Sequence, residues 1–205
     1  IPALQGFAVE GGLMTMEKAL RTREQQQSLR IGVPREVANE ERRVAIAPSG
    51  ALALVSAGHQ VYVEREAGDL AHFRDDEYAE TGAELVDGPG DLYGHCDLIV
   101  KVGPPDDDEL GLLQEKQILI SALNLGGTSP DFLRRLMQQR ITGIGFEFIR
   151  DKDGTLPLVR MMHEITGSMA IQVAGRLLES NAGGKGVMLG GISGVPPATV
   201  VILGA

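Results

Sequence analysis

From Leu29 onward, short apolar runs alternate with longer segments whose apolar residues recur at helical spacing. Arg30–Val33 reads as a short strand stopped by Pro34. A polar loop, REVANEER, follows, and Pro48 and Ser49 open a helix through SGALALVSAG that Gly58 ends. Gln60–Glu64 (QVYVE) alternates as a strand does, Asp75–Glu80 reads as a short helix, and 83–86 as another short strand. LIVKV at 98–102 is a strand closed by Gly103 and two prolines, and PDDDEL starts the next helix. Residues 117–123 form a strand, and Ser129-Pro130-Asp131 begins a helix that runs through LRRLMQQ. ITGIGFEFI at 141–149 predicts a further strand, and DKDG at 151–154 a turn. A long helix over 160–180 contains Gly167 and Gly175, which would admit another backbone closely. The Gly-rich segment NAGGKGVMLGGISGVPP then leads to an apolar run at 199–203 that meets Gly204. An apolar strand running into glycine is how a dinucleotide-binding unit begins.

Strands and helices alternating at this length imply an α/β fold, a Rossmann-like (flavodoxin-like), mostly parallel sheet flanked by helices. The last segment adds the start of a second Rossmann domain. The expected organisation is an arm at 1–28, a main domain at 29–158, and a connecting helix, connector and first strand at 159–205. The arm is irregular at first and then rich in helix formers, with Met16, Ala19 and Leu20 available to cover one face, which suits a docking or frayed segment.

Composition narrows the function. The chain has 205 residues, 43% hydrophobic, enough to bury a core. A net charge of -9 repels phosphate backbones and argues against nucleic-acid partners. Cys96 is the only cysteine, which excludes an intrachain disulfide and a thiolate zinc site; no metal site is expected. No segment is apolar for long enough to span a bilayer and no secretory signal opens the chain, so the expected location is the cytoplasm.

Candidate chemistry lies where strands end. Lys101 interrupts an apolar strand near its carboxyl end, and a buried ammonium needs either a ligand or a carboxylate partner. Arg43, next to Arg42 in ERRVAIAP, is placed to grip a carboxylate in a bidentate fork, or to lie in solvent. Asn124 ends a strand, as a turn former or as an amide facing substrate, and it cannot act as an acid or base. His163 and Glu164 are helix neighbours and do not share a face, which argues against a dyad. The run Asp106–Glu109 suits helix capping better than a metal. His59, His72 and His95 lack ligand spacing, and Cys96 reads as a small buried thiol.

Taken together, LRIGVPREVANEERRVAIAPSG, CDLIVKVGPP, MHEITG at 162–167 and the segment leading into VVILGA resemble the alanine dehydrogenases and the NAD-binding subunit of proton-translocating transhydrogenases. The resemblance covers about 29–205. It implies NAD as cofactor, a substrate domain at 29–158, and a homo-oligomer acting on an amino acid or 2-oxo acid without membrane insertion. It also implies that Arg43 meets the substrate carboxylate, that Lys101 meets its carbonyl or carboxylate, and that His163 and Gly204 contact the cofactor. One departure matters: Asn124 stands where the dehydrogenases carry their catalytic histidine. The main expectation is therefore an alanine dehydrogenase-like oxidoreductase converting L-alanine and pyruvate. The alternatives are the NAD(H)-binding part of a transhydrogenase, and a catalytically inactive folding module.

Overall fold

The structure is a computed structural model that describes residues 28–38 and 40–203. The arm before Ser28, and Gly204 with its expected cofactor contact, lie outside the described residues. The chain divides into a unit ending at Ile144 and another beginning at Gly145. The long helix of the second unit spans Pro157–Leu178.

The first unit contains, in order, β1 (Arg30–Val33), α1 (Pro48–Ser56), β2 (Gln60–Glu64), α2 (Asp75–Glu80), β3 (Glu84–Val86) and α3 (Pro89–His95). It continues with β4 (Leu98–Val100), α4 (Asp107–Leu112), β5 (Ile118–Ser121), α5 (Pro130–Gln138) and β6 (Thr142–Gly145). The strands form one sheet in the order β3-β2-β1-β4-β5-β6. Pairing is parallel, with Ile31 opposite both Val61 and Leu98, and Ile99 opposite Leu119. In the flavodoxin order β3 would lie beside β1; here β4 does, and β3 sits at the edge, as in the doubly wound dinucleotide folds. Local patterning cannot decide this, because it is crossover direction that sets which strand sits where.

Each face of the sheet carries its own core. Val33, Val61 and Val63 pack under α1 and α2 with Ala51 and Tyr78. Ile99, Leu119 and Leu123 pack under α3, α4 and α5 with Leu92, Tyr93, Leu110 and Phe132. Helices on both faces explain why the strands read as apolar runs rather than clean alternations. Gly32 is required by close packing: a Cβ there would lie 2.8 Å from Cys96 Sγ and 2.9 Å from Ile99 Cδ1.

Several sequence expectations need correction. Helix α3 was not anticipated, because PGDLYGH carries two glycines; fully buried Leu92 and Tyr93 hold it in place. The strand expected over 141–149 stops at Gly145 and gives way to a 3₁₀ turn, Phe146–Phe148. A Cβ at Gly145 would meet Glu147 Oε2 and Phe148 Cδ2 at 2.9 Å, so the chain folds back over this glycine. In the second unit α6 (Pro157–Leu178) buries none of its residues and exposes Met161, Ile165, Met169 and Leu177. Nothing lies within 4 Å of a Cβ built at Gly167, and Leu189 Cδ1 lies 3.7 Å from one at Gly175, so neither meets another backbone among the described residues. Residues 199–203 do not form the expected strand; Val201 and Leu203 are exposed. A strand needs a neighbour for its ladder, and no described strand lies alongside.

Candidate functional site

The strand order reverses between β1 and β4, and ligands of such sheets bind at the carboxyl ends of the strands beside that point. Two chain segments meet there. Beyond β1, Pro34 and Arg35 lead into Glu36; beyond β4, the chain continues through Lys101, Val102 and Gly103. By strand alternation Lys101 lies on the same face as Ile99, and Ser121 of β5 on the same face as Leu119. The ladder extends past β4, with Lys101 N–H donating to Ile120 O at 2.8 Å and Ala122 N–H to Val102 O at 3.0 Å.

The Lys101 side chain is 1% exposed, and its ammonium sits between two carboxylates. It donates to Glu109 Oε1 and lies 3.6 Å from Glu36 Oε2. Glu109 Oε1 also accepts the Tyr93 hydroxyl at 3.0 Å, and Glu109 Oε2 accepts the Asp106 N–H at 3.0 Å. Glu36 accepts the Val102 N–H at 2.6 Å and the Gly103 N–H at 3.3 Å. Burial pushes the Glu36 carboxyl above the usual carboxylate range, against the pull of the Lys101 ammonium and these two amides. Burial and the Glu109 carboxylate keep the Tyr93 phenol protonated, so it acts as a donor. Ser121 Oγ is fully buried and has no hydrogen-bond partner among the described residues.

Arg43 lies further along the same loop. Its side chain is 52% exposed and grips Glu41 in a fork, Nε to Oε1 at 2.8 Å and Nη2 to Oε2 at 2.6 Å. That fork holds the Glu41 carboxyl below its ordinary range and raises the guanidinium. Asn124 is exposed at the end of β5 in the left-handed region, φ +43, and its carbonyl accepts the Gly127 N–H at 2.9 Å and the Thr128 hydroxyl at 2.9 Å. It therefore builds a turn at this edge. Arg43, Lys101 and Asn124 thus all follow strands of the first unit at their carboxyl ends.

His163 belongs to the second unit. It lines an open hollow of about 530 Å³ with Arg150, Arg160 and Glu164, the last two paired at 2.9 Å. Asp106 caps α4, accepting the N–H groups of Asp108 and Glu109 through Oδ1. Burial pushes the Cys96 thiol up to about 12, which leaves it inert. No group of three or more His, Cys, Asp or Glu among the described residues is arranged to hold a metal. No described helix is long and apolar enough to cross a membrane.

Sequence reasoning did not single out Glu36, Tyr93 or Glu109 as partners of Lys101. A buried lysine signals that carboxylates must be near, but 28 acidic residues compete for the role and only the fold selects two.

A doubly wound parallel sheet with Arg43 and Lys101 beyond the carboxyl ends of its strands defines a domain of the Rossmann-like α/β class. Residues 32–166 match the N-terminal domain of the alanine dehydrogenase/PNT family, and residues 170–205 match its C-terminal domain. The chain belongs to that family. Alanine dehydrogenase of Methanococcus maripaludis is 44% identical over 174 residues, 85% of this chain and 46% of the relative. Alanine dehydrogenase of Staphylococcus epidermidis is 38% identical over 176 residues, 86% of this chain and 47% of the relative. A solved L-alanine dehydrogenase superposes with a TM-score of 0.79 at 38% identity, over 83% of this chain and 46% of that one. A transhydrogenase from Sinorhizobium meliloti shares the fold, with a TM-score of 0.55 at 24% identity over 58% of this chain and 34% of that one. The chain spans about half the length of the curated relatives it matches.

Proposed function

We propose that this chain is the substrate-side portion of an NAD-dependent dehydrogenase that interconverts L-alanine and pyruvate. The observation that carries the reading is Arg43, a half-exposed guanidinium beside the switch point of an alanine dehydrogenase-type fold. Its fork now holds the Glu41 carboxylate, and the carboxylate of a 2-oxo acid offers the same two oxygens. Lys101, the second cation of the edge, supplies positive charge from inside the wall.

The described residues contain no glycine-rich turn from strand to helix of the kind that cradles a dinucleotide phosphate. NAD, when bound, would accept hydride from the substrate's α carbon. His163 is the proposed contact to the cofactor from the second unit. The apolar side chains exposed along α6 support packing against further protein, consistent with a homo-oligomer, and the proposed compartment is the cytoplasm.

Asn124 favours a second reading, the NAD(H)-binding part of a transhydrogenase that works with a membrane partner, because an amide cannot exchange a proton with substrate. The test is alanine-dependent NAD reduction by the full-length protein, wild type and Arg43→Gln. The dehydrogenase reading expects activity in the wild type and a raised KM for alanine in the variant. Hydride exchange between NADH and an NADP analogue, with no alanine-dependent reduction, would establish the second reading instead.

A further inference from the structure

We propose that Glu41 sets how tightly the site takes its substrate: it occupies the Arg43 fork as an internal stand-in for the substrate carboxylate and gives way to it. This deepens the dehydrogenase reading above and rests on it. Glu41 stands two residues before Arg43 in the loop that follows β1. It offers Oε1 to Arg43 Nε at 2.8 Å and Oε2 to Nη2 at 2.6 Å, the paired bonds by which a guanidinium recognises a carboxylate. A 2-oxo acid that enters this fork must therefore replace Glu41 there.

The surroundings suit such an exchange. The Glu41 carboxylate has partners of its own, because Oε1 also accepts the Arg43 backbone N–H at 2.9 Å and the Arg42 backbone N–H donates to the same carboxylate. It stays hydrogen-bonded when the guanidinium turns away, so no bare charge is stranded. The Arg43 side chain is 52% exposed against 15% for Glu41, so the guanidinium is the partner with room to turn. The fork, and after it the backbone amides, hold the Glu41 carboxyl below its ordinary range, so it competes as an anion at neutral pH. Arg43 has a further interaction besides this pair, and the exchange concerns the two donors of the fork. One carboxylate replacing another gains little at the fork itself. A ligand that brings only a carboxylate is left with little net affinity, and a substrate must win entry through contacts made by the rest of the molecule.

The experiment uses the full-length protein, wild type, Glu41→Gln and Glu41→Asp. Glu41→Gln keeps the size of the side chain and removes the competing charge. The KM for pyruvate and the competitive inhibition constant of propionate should both fall, by similar factors of about two- to fivefold, the range of a partly exposed ion pair, with kcat within about twofold of wild type. Phenylglyoxal modification of Arg43, read by peptide mass spectrometry without turnover, should be faster in Glu41→Gln, and pyruvate should protect Arg43 at a lower concentration than in wild type. A raised KM and a raised propionate constant would make Glu41 a fixed post that holds Arg43 in position, and would overturn the proposal. Unchanged constants would overturn it too. If Glu41→Gln does not fold, Glu41→Asp, one methylene shorter and unable to fill the fork, decides through the same two constants. Absence of alanine-dependent NAD reduction in the wild type defeats the dehydrogenase reading, while protection of Arg43 by pyruvate still decides the exchange: easier protection in Glu41→Gln supports it, and no protection overturns it.

Discussion

Gly32→Ala tests how tightly the first unit is built around the strand that leads to the site. A Cβ at this position would lie 2.8 Å from Cys96 Sγ, 2.9 Å from Ile99 Cδ1 and 3.0 Å from Leu92 Cδ2. Ordinary carbon contacts lie at about 3.5–4.0 Å, so each neighbour must retreat by roughly 0.5–1 Å. Leu92 and Ile99 are fully buried and Cys96 nearly so, so the three atoms that must retreat all lie within the packed core. Overpacking of this kind costs about 1–3 kcal/mol. Restricting the unfolded chain returns about 0.4–1 kcal/mol, for a net loss of about 1–2 kcal/mol. For a protein of this size that lowers Tm by about 2–8 °C, measured by thermal unfolding of the full-length protein. Cys96→Ala removes the closest atom, so Gly32→Ala/Cys96→Ala should be less destabilised than the sum of the single variants by at least about 0.5 kcal/mol. A Gly32→Ala protein with a Tm at or above wild type would refute the packing argument.

Three further outcomes are expected. The folded pKa of Glu36 is raised, so its carboxyl favours folding below its unfolded value and that contribution is lost as pH rises through the folded value. The Tm of Glu36→Gln relative to wild type should therefore climb as pH increases from about 4.5 to 7, and a flat or falling difference would contradict the burial of this group. Asp106→Ala removes the cap that accepts two N–H groups of α4 and should cost about 1 kcal/mol in denaturant unfolding; no measurable loss would show that the cap is dispensable. The folded protein should react with a thiol reagent at Cys96 only as fast as it opens, and rapid labelling under native conditions would contradict a buried, protonated thiol.

Much of the first unit was legible in the sequence. The apolar runs around Val33, Val61 and Ile99, punctuated by Pro34, Gly58 and Gly103, marked strands and their ends, because burial on both faces and local backbone limits act within a few residues. Asp106 and Ser129 announced their helices because a cap is a contact between residues two or three apart. Helix α3 escaped because its glycines argue against a helix locally, while its stability comes from Leu92 and Tyr93 packing across the sheet. The strand order, with β4 rather than β3 beside β1, depended on crossovers that no local pattern encodes.

The site divides along the same line. The sequence alone determined that Lys101 needed a partner, since an ammonium in an apolar strand cannot stay alone, and that Asn124 could form a turn but not move a proton. Only the tertiary structure decided that the partners are Glu36 and Glu109, 65 residues earlier and eight residues later in the chain. It also left the more exposed cation of the pair, Arg43, facing solvent while Lys101 was sealed inside. The physical reason is reach: desolvation and backbone preference are felt at one residue, whereas which charges cancel depends on which segments the fold brings to the same edge of the sheet.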